Sequence, residues 1–343
     1  MRYKLLGKSG LRVSELALGT MTFGDDWGWG ADKEASKAIF DAYAHAGGNF
    51  IDTACNYTNG TAEKFTGEFT KADRDYFVIS TKYTLHNYAA RAHDLNAGGN
   101  HRKNMIQTVE GSLKRLQTEI LDLLFLHIWD STTPVDEILR AMDDLVRAGK
   151  VHYVGISDSP AWVTGYAVAT AELRGWPRFA GYQGEYNLLT RGAEREILPM
   201  TRALDMAFMA FGLLASGQLS GKFNAGKPDE HTRVGKPEQH ALEMAELVGE
   251  IAKEIGCSSA QVAINWVRQQ SPNIIPIIGA RRIPQIEDNL RALDFTLSEN
   301  HLKRLNDSNP LPPEYPDDFY KSPSTLELAF GKAMERLDNH RII

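Results

Sequence analysis

Residues 121–158 read LDLLFLHIWDSTTPVDEILRAMDDLVRAGKVHYVGISD, and this stretch decides the fold. Leu121 to Leu126 is a short apolar run suited to a buried strand, Val135 to Ala148 carries apolar residues at helical spacing, and Val151 to Ile156 is a second apolar run. Arg147-Ala148-Gly149-Lys150 has the glycine of a helix end, where the left-handed conformation is needed. Strand, amphipathic helix and strand in that order predict a parallel βα unit.

The same alternation extends in both directions. Further strands are expected at Leu16 to Leu18, Phe50 to Ile51, Phe77 to Ser80, Gly181 to Gln183, Ala207 to Ala210 and Ile274 to Ile277. Helices are expected at Lys33 to Ala46, Arg102 to Leu116, Ala161 to Leu173 and Glu194 to Leu204, with a pair, Pro237 to Ile255 and Ser259 to Gln270, before the last strand. Eight short strands with intervening helices fit an α/β (β/α)8 TIM barrel better than two dinucleotide-binding halves. Tyr3 to Leu5 and Val13 to Leu16 predict an N-terminal β-hairpin, and the tail from Pro310, Pro-rich and then helical, predicts extra C-terminal helices that cap the barrel mouth. No linker composition divides the chain, so residues 1–343 are read as a single domain.

Composition is ordinary for a globular protein, 43% hydrophobic and 24% charged. A net charge of −6 argues against nucleic acid or an anionic membrane surface as partner. Cys55 and Cys257 are too few for a disulfide framework, the start lacks the apolar core of a signal peptide, and no apolar run approaches the ~20 residues of a membrane helix. The expectation is a soluble, cytoplasmic protein. No His/Cys/Asp grouping has metal-ligand spacing, so no metal is expected.

In such a barrel the C-terminal strand ends ring the active-site mouth. Asp52 follows NFI, Tyr57 lies in the next loop, Lys82 ends FVIST, and His127 ends LDLLFL. Taken singly, Asp52 also reads as a turn cap, Tyr57 as a loop anchor and His127 as a satisfied core histidine. Lys82 is different, because a lysine on a buried strand requires an acid partner, and Asp52 is the obvious one. Together the four make a machine for carbonyl reduction. A tyrosine supplies the proton, a lysine cation lowers its pKa, an aspartate holds the lysine charged, and a histidine orients the carbonyl oxygen.

At these residues the sequence becomes specific. GGNFIDTACNYTNGTAEK, VISTKY and LDLLFLHIWD resemble the motifs of the aldo-keto reductase family, with LALGTMTFG, GKVHYVGISD, YQGEYNLLTR, SGQLSGKF and IIPIIGARRIPQIEDNLRALDFTLS extending the match from Leu5 to about Asn306. The HIWD ending and YQGEYNLLTRGAEREILPM are similar to its aryl-alcohol dehydrogenase-like branch. The resemblance implies catalytic roles for Asp52, Tyr57, Lys82 and His127. It implies NADPH/NADP+ contacts at Gly19, Thr20, Met21, Asp52, Ser157, Asp158 and Gln183, stacking of Phe211 on the nicotinamide, and pyrophosphate along Gly212, Leu213, Leu214 and Lys222. It places the adenosine 2′-phosphate and adenine at Gly279, Ala280, Arg281, Gln285, Asp288 and Asn289. A 2′-phosphate wants the cation that Arg281 supplies, so NADPH is favoured over NADH.

The chain departs from the family pattern at three places: Phe211-Gly212-Leu213-Leu214 where an aromatic and Ser-Pro-Leu are usual, Ser157-Asp158 for Ser-Asn, and Tyr57-Thr58 for Tyr-Gly. The implied reaction is reduction of aromatic or aliphatic aldehydes and ketones, with Trp27, Trp29 and Trp129 as candidate walls of an apolar pocket. Trp27 to Ala31, residues 87–100 and 224–236, and the tail are the loops expected to set substrate choice. The alternative function is that of an NADPH-binding, redox-sensing subunit with little turnover, as in potassium-channel β-subunits. A Schiff-base lyase using Lys82 as nucleophile is disfavoured, because Asp52 would keep that amine protonated. Oligomeric state is not legible.

Overall fold

Eight strands close on themselves in the order β10-β3-β4-β5-β6-β7-β8-β9 in the computed structural model, which describes residues 1–86, 93–224 and 237–338. They are β3 (Ala17–Gly19), β4 (Phe50–Asp52), β5 (Val78–Tyr83), β6 (Leu121–Leu126), β7 (Val151–Ser157), β8 (Phe179–Glu185), β9 (Ala207–Phe211) and β10 (Ile274–Ile278). Every neighbouring pair is parallel. The expected (β/α)8 TIM barrel is therefore the fold. Parts of two loops expected to set substrate choice, 87–92 and 225–236, lie outside the described residues, as do residues 339–343 of the tail.

The N-terminal hairpin is β1 (Tyr3–Leu5) paired antiparallel with β2 (Arg12–Ser14). Leu6 and Val13, fully buried, join Ala17, Phe50, Val78, Leu123, Phe125, Ala207, Met209, Ile275 and Ile277 in the core inside the barrel. A second, larger core lies between the strands and the helices and includes Ile51, Ile79, Leu124 and Ile156. The two sets alternate along each strand because successive strand side chains point to opposite faces. This parity positions the site. Phe50, Val78 and Phe125 point inward, so Asp52, Lys82 and His127, offset by even numbers, point inward above them at the C-terminal end.

The surrounding helices are α1 (Lys33–His45), α2 (Thr61–Thr70), α3 (Arg102–Leu116), α4 (Val135–Arg147), α5 (Ala161–Arg174), α6 (Ile197–Ala203), α7 (Gln239–Ile255), α8 (Ser259–Gln269), α9 (Ile283–Leu290) and α10 (Glu299–Ser308). Gly149 has φ 70°, as its helix-end reading required. Most element ends shift by one to three residues from expectation. β5 runs on to Tyr83, so Lys82 lies within the ladder, paired with Phe125. β4 includes Asp52, paired with Ser80. α6 begins at Ile197, because Glu196 has φ −128° and Gly192–Glu194 forms a separate 3-10 turn.

Helix α2 is absent from the sequence reading. Its buried face is Ala62, Glu63, Thr66, Gly67, Phe69 and Thr70, with few of the aliphatic residues that mark an amphipathic helix. The reason is close packing: a Cβ on Gly67 would lie 2.3 Å from Leu116 O at the end of α3. The tail forms α11 (Asp317–Tyr320) and α12 (Pro323–Phe330). Its polar ties lead to the segment before α6, through Arg195 to Pro312 O (3.2 Å) and to Glu314 (2.8 Å). No helix among the described residues is long and apolar enough to cross a membrane.

The barrel interior is filled at the expense of Gly155. An added Cβ there would fall 2.4 Å from the Phe125 ring, beneath His127. Gly155→Ala should therefore destabilise the fold by about 1–3 kcal/mol through overpacking. The shift of the urea unfolding midpoint measures it, and an unchanged midpoint would mean that the ring yields freely.

Candidate active site

The centre of the mouth is a charged pair with no solvent exposure to speak of. Lys82 Nζ lies 2.7 Å from Asp52 Oδ2, with side-chain exposures of 0% and 4%. The other two ammonium hydrogens go to Thr53 O at 2.8 Å and Tyr57 Oη at 3.2 Å, so the lysine's three donors are all engaged. Asp52 Oδ1 accepts from Ser80 Oγ and from Gln183 Nε2, both at 2.9 Å. Strands β4, β5 and β8 thus converge on one carboxylate, and Ser80, not singled out from sequence, completes its partners.

Tyr57 opens a 3-10 turn, Tyr57–Gly60, in which Thr58, Asn59 and Gly60 all have positive φ (42°, 55° and 92°). The left-handed conformation costs about 1–2 kcal/mol at each non-glycine residue. Thr58, where the family pattern has glycine, is held there by two hydrogen bonds. Its buried Oγ1 donates to Phe23 O (2.6 Å) and accepts from Ala62 N (3.0 Å), doing the work of an N-cap for α2. The departure therefore changes how the turn is anchored and leaves the Tyr57 phenol facing Lys82.

Burial raises the Tyr57 pKa, and the Lys82 cation only partly offsets that rise. Lys82 acts on the phenol in the expected direction, lowering its pKa, but desolvation of the phenolate is the larger effect and the net shift is upward. Lys82 is itself subject to a strong downward push from burial, which Asp52 and Tyr57 outweigh, so its pKa is raised and it stays charged. That removes the amine as a nucleophile.

His127 packs edge-on to Tyr57, ring centroids 5.9 Å apart. Its backbone N–H donates to Tyr83 O and Thr84 Oγ1. Burial and the nearby Lys82 charge push its pKa down to about 3, so the ring is neutral at physiological pH. Asp158 has φ 42° and an exposed surface, yet its carboxyl is recessed enough that desolvation, reinforced by Glu185, pushes it up to about 6. Buried polar atoms without a partner gather at this end of the barrel: Thr53 Oγ1, Asn56 Oδ1, His127 Nδ1, Trp129 Nε1 and Ser157 Oγ. Four further such atoms among the described residues lie elsewhere, on Arg74, His101, Arg178 and His301, so the orphans at the mouth are a partial concentration and not the whole set.

The remaining residues singled out from sequence separate into groups. Gly19 ends β3 and Thr20 follows it; Thr20 is fully buried, with Oγ1 donating to Asp52 O, and Met21 is half-buried beside it. Phe211 is half-buried at the end of β9, Gly212 has φ 72°, and Leu213 points into the core, while Leu214 is half-buried. The following turn, Ala215–Ser220, has positive φ at Ala215, Ser216 and Gly217, and Lys222 Nζ folds back to 3.0 Å from where a Gly217 Cβ would be. Gly279 and Ala280 follow β10, and Ala280 is buried. Gln285 Oε1 accepts from the N–H groups of Arg281 (2.8 Å) and Arg282 (3.2 Å), capping α9. Asp288 accepts from Ser258 Oγ and Gln261 Nε2, and Asn289 Nδ2 donates to Gly279 O. These three side chains all have a structural task. Trp27 and Trp29 pair at 5.6 Å, and Trp27 Nε1 reaches Asn59 Oδ1 in the Tyr57 turn (3.3 Å). Trp129 meets Trp162 edge-on at 5.5 Å, a partner that sequence reasoning missed because it lies on α5 with no strand-end signal.

A parallel barrel with its buried polar cluster at the strand C-termini has the architecture of an enzyme. A sequence model of the Aldo/keto reductase family matches residues 15–310, and the chain belongs to this family of oxidoreductases. It is 35% identical to an aryl-alcohol dehydrogenase [NADP(+)] of Phanerodontia chrysosporium, over 90% of this chain and 85% of that protein. It is 39% identical to the aldo-keto reductase ausK of Aspergillus calidoustus (89% and 81% covered) and 34% identical to a norsolorinic acid reductase of Aspergillus flavus (92% and 82%). Carbonyl reduction with a nicotinamide cofactor is the chemistry this membership supports.

The His127 environment has a pH signature. Its folded pKa, about 3, lies below the ordinary 6.5, so as pH falls from 6.5 towards 3 the unfolded chain takes up a proton that the folded protein refuses. Stability attributable to His127 is present above pH 6.5 and lost through that window. Imidazole NMR shifts should show His127 neutral at about pH 5, a pH at which an ordinary histidine is protonated; titration near the ordinary value would contradict the assigned burial.

Proposed function

We propose that the protein reduces aldehydes and ketones, aromatic ones foremost, to alcohols with NADPH, and that Tyr57 supplies the proton. The observation that carries the reading is Lys82 Nζ held 3.2 Å from Tyr57 Oη while its charge is fixed by Asp52. The bound nicotinamide supplies the hydride for the carbonyl carbon. The oxygen of the substrate then lies between Tyr57 Oη and the His127 ring, and the developing alkoxide takes the Tyr57 proton. The phenolate left behind is stabilised by the ammonium of Lys82, which cannot swing away because its other donors are committed to Asp52 and Thr53. Neutral His127 acts as a hydrogen-bond donor that orients the carbonyl.

The residues present fit the cofactor. The unpartnered Ser157 Oγ lies beside Gln183 across the β7–β8 ladder and suits a carboxamide. The left-handed positions Gly212, Ala215, Ser216, Gly217 and Gly221, with Lys222 folded against Gly217, suit a pyrophosphate. Arg281 suits a 2′-phosphate, and the NADP(+) in the name of the aryl-alcohol dehydrogenase relative supports that choice. Gln285, Asp288 and Asn289 would then serve the adenine end largely by shaping it, given their structural bonds. The Trp27–Trp29 pair on the β3–α1 loop, and Trp129 of the β6–α4 loop paired with Trp162 of α5, offer flat walls for aromatic substrates. Residues 1–343 act as one cytoplasmic barrel domain in this proposal.

Tyr57→Phe should leave cofactor affinity within about twofold and cut turnover by the 10²–10⁴-fold worth of a general acid. Stopped-flow and steady-state kinetics separate the two, and near-normal turnover would sink the mechanism. Arg281→Ala should weaken NADPH by about tenfold or more, the loss of one charge-assisted contact, and leave NADH almost untouched. Fluorescence titration with both cofactors decides it, an equal loss removing the 2′-phosphate assignment.

A further inference from the structure

Glu63 is a carboxylate with no exposed side-chain surface, seated on the first turn of α2 and unused by the chemistry above. Its two oxygens are divided between two elements. Oε1 accepts from Thr81 Oγ1 at 2.6 Å, and Thr81 immediately precedes Lys82 on β5. Oε2 accepts from Arg115 Nε at 2.6 Å, and Arg115 lies in the last turn of α3. Arg115 also braces the Tyr57 turn. A Cβ on Gly60 would lie 2.9 Å from Arg115 Cδ and 3.3 Å from its Nε, so the arginine stem passes directly beneath the residue that ends the three left-handed positions. Its Nη2 donates to Ser112 Oγ at 3.3 Å, which fixes the guanidinium along α3.

These contacts form a ring. From Lys82 it runs back one residue to Thr81, across to Glu63, on to Arg115, up to Gly60, and through Asn59 and Thr58 to Tyr57, whose hydroxyl returns to Lys82. We propose that Glu63 and Arg115 are a positioning pair that sets the separation between Tyr57 Oη and Lys82 Nζ, touching neither substrate nor cofactor. A buried carboxylate shared between the strand carrying the lysine and the helix entered through the tyrosine's turn has this mechanical consequence. The inference rests on Tyr57 as the proton donor. Around Tyr57 the other charged or titratable groups are Lys82 and Asp52 below, His127 edge-on and Asp158 across the mouth. Of these, only Lys82 stabilises the phenolate at hydrogen-bond distance, so its distance governs how readily the phenolate forms.

The test uses Thr81→Val, which cuts the tie to β5 without stranding a charge, and the double variant Glu63→Gln/Arg115→Gln, which keeps amides where the ions were. Benzaldehyde reduction with NADPH and benzyl alcohol oxidation with NADP+ are compared, with Tyr57→Phe as control. Oxidation needs the phenolate and reduction the phenol. If the lysine recedes, the apparent pKa in the pH profile of kcat/KM for oxidation rises by about one pH unit in both variants, while the two directions fall together at any one pH because the overall equilibrium is fixed. Cofactor KM stays the same. An unshifted pKa in either folded variant, with or without a loss of rate, would overturn the proposal. Should the double variant fail to fold, Thr81→Val decides alone. Retained turnover in Tyr57→Phe would instead overturn the proton-donor reading itself.

Discussion

The ammonium of Lys82 sits at the centre of the barrel mouth without exposure to water, and most of the architecture around it answers that fact. Taking an ion out of water costs several kcal/mol even after relaxation, and an opposite charge compensates only when the geometry is good and every remaining donor is met. Asp52, Thr53 O and Tyr57 Oη meet all three. Asp52 is satisfied in turn from β5 and β8. Because a one-residue slip in a strand sends every side chain to the other face, the pair also fixes the register of β4 against β5.

That constraint gives the site its chemistry. A lysine whose three donors are all committed is a fixed positive charge, not a base or a nucleophile. The phenol beside it is pulled in two directions, burial favouring its protonated form and the cation favouring its ionised form. A proton donor needs both: it must keep the proton until the alkoxide appears and be stable once the proton is gone. His127, kept neutral by the same cation and the same burial, is freed from any charge change and is left to orient.

The strands were legible because each is a short apolar run between helical stretches, and their C-terminal ends already grouped Asp52, Lys82 and His127 at the mouth. Tyr57, in the loop after β4, was joined to them by the chemistry that a tyrosine beside a lysine offers. What sequence did not reveal is made of tertiary contacts. Helix α2 hides behind threonines and a glycine because it packs almost backbone to backbone on α3, so it lacks an apolar stripe. Glu63 reads as an ordinary surface acid until Thr81 and Arg115, 18 and 52 residues away, are brought to it. The net direction of the Tyr57 pKa likewise depends on burial, which charge pairing in the sequence does not convey. At α9, the resemblance pointed to cofactor contacts, whereas the local physics of a helix start explains the bonds that Gln285 makes.

The most direct test of this account is to mix the purified protein with NADPH and a panel of aromatic aldehydes, following loss of the dihydronicotinamide absorbance and formation of alcohol together. The account predicts aldehyde-dependent oxidation of NADPH, with one alcohol formed for each cofactor consumed. Tight NADPH binding with no turnover on any aldehyde would contradict it, and would point to a protein that holds the cofactor to report its redox state.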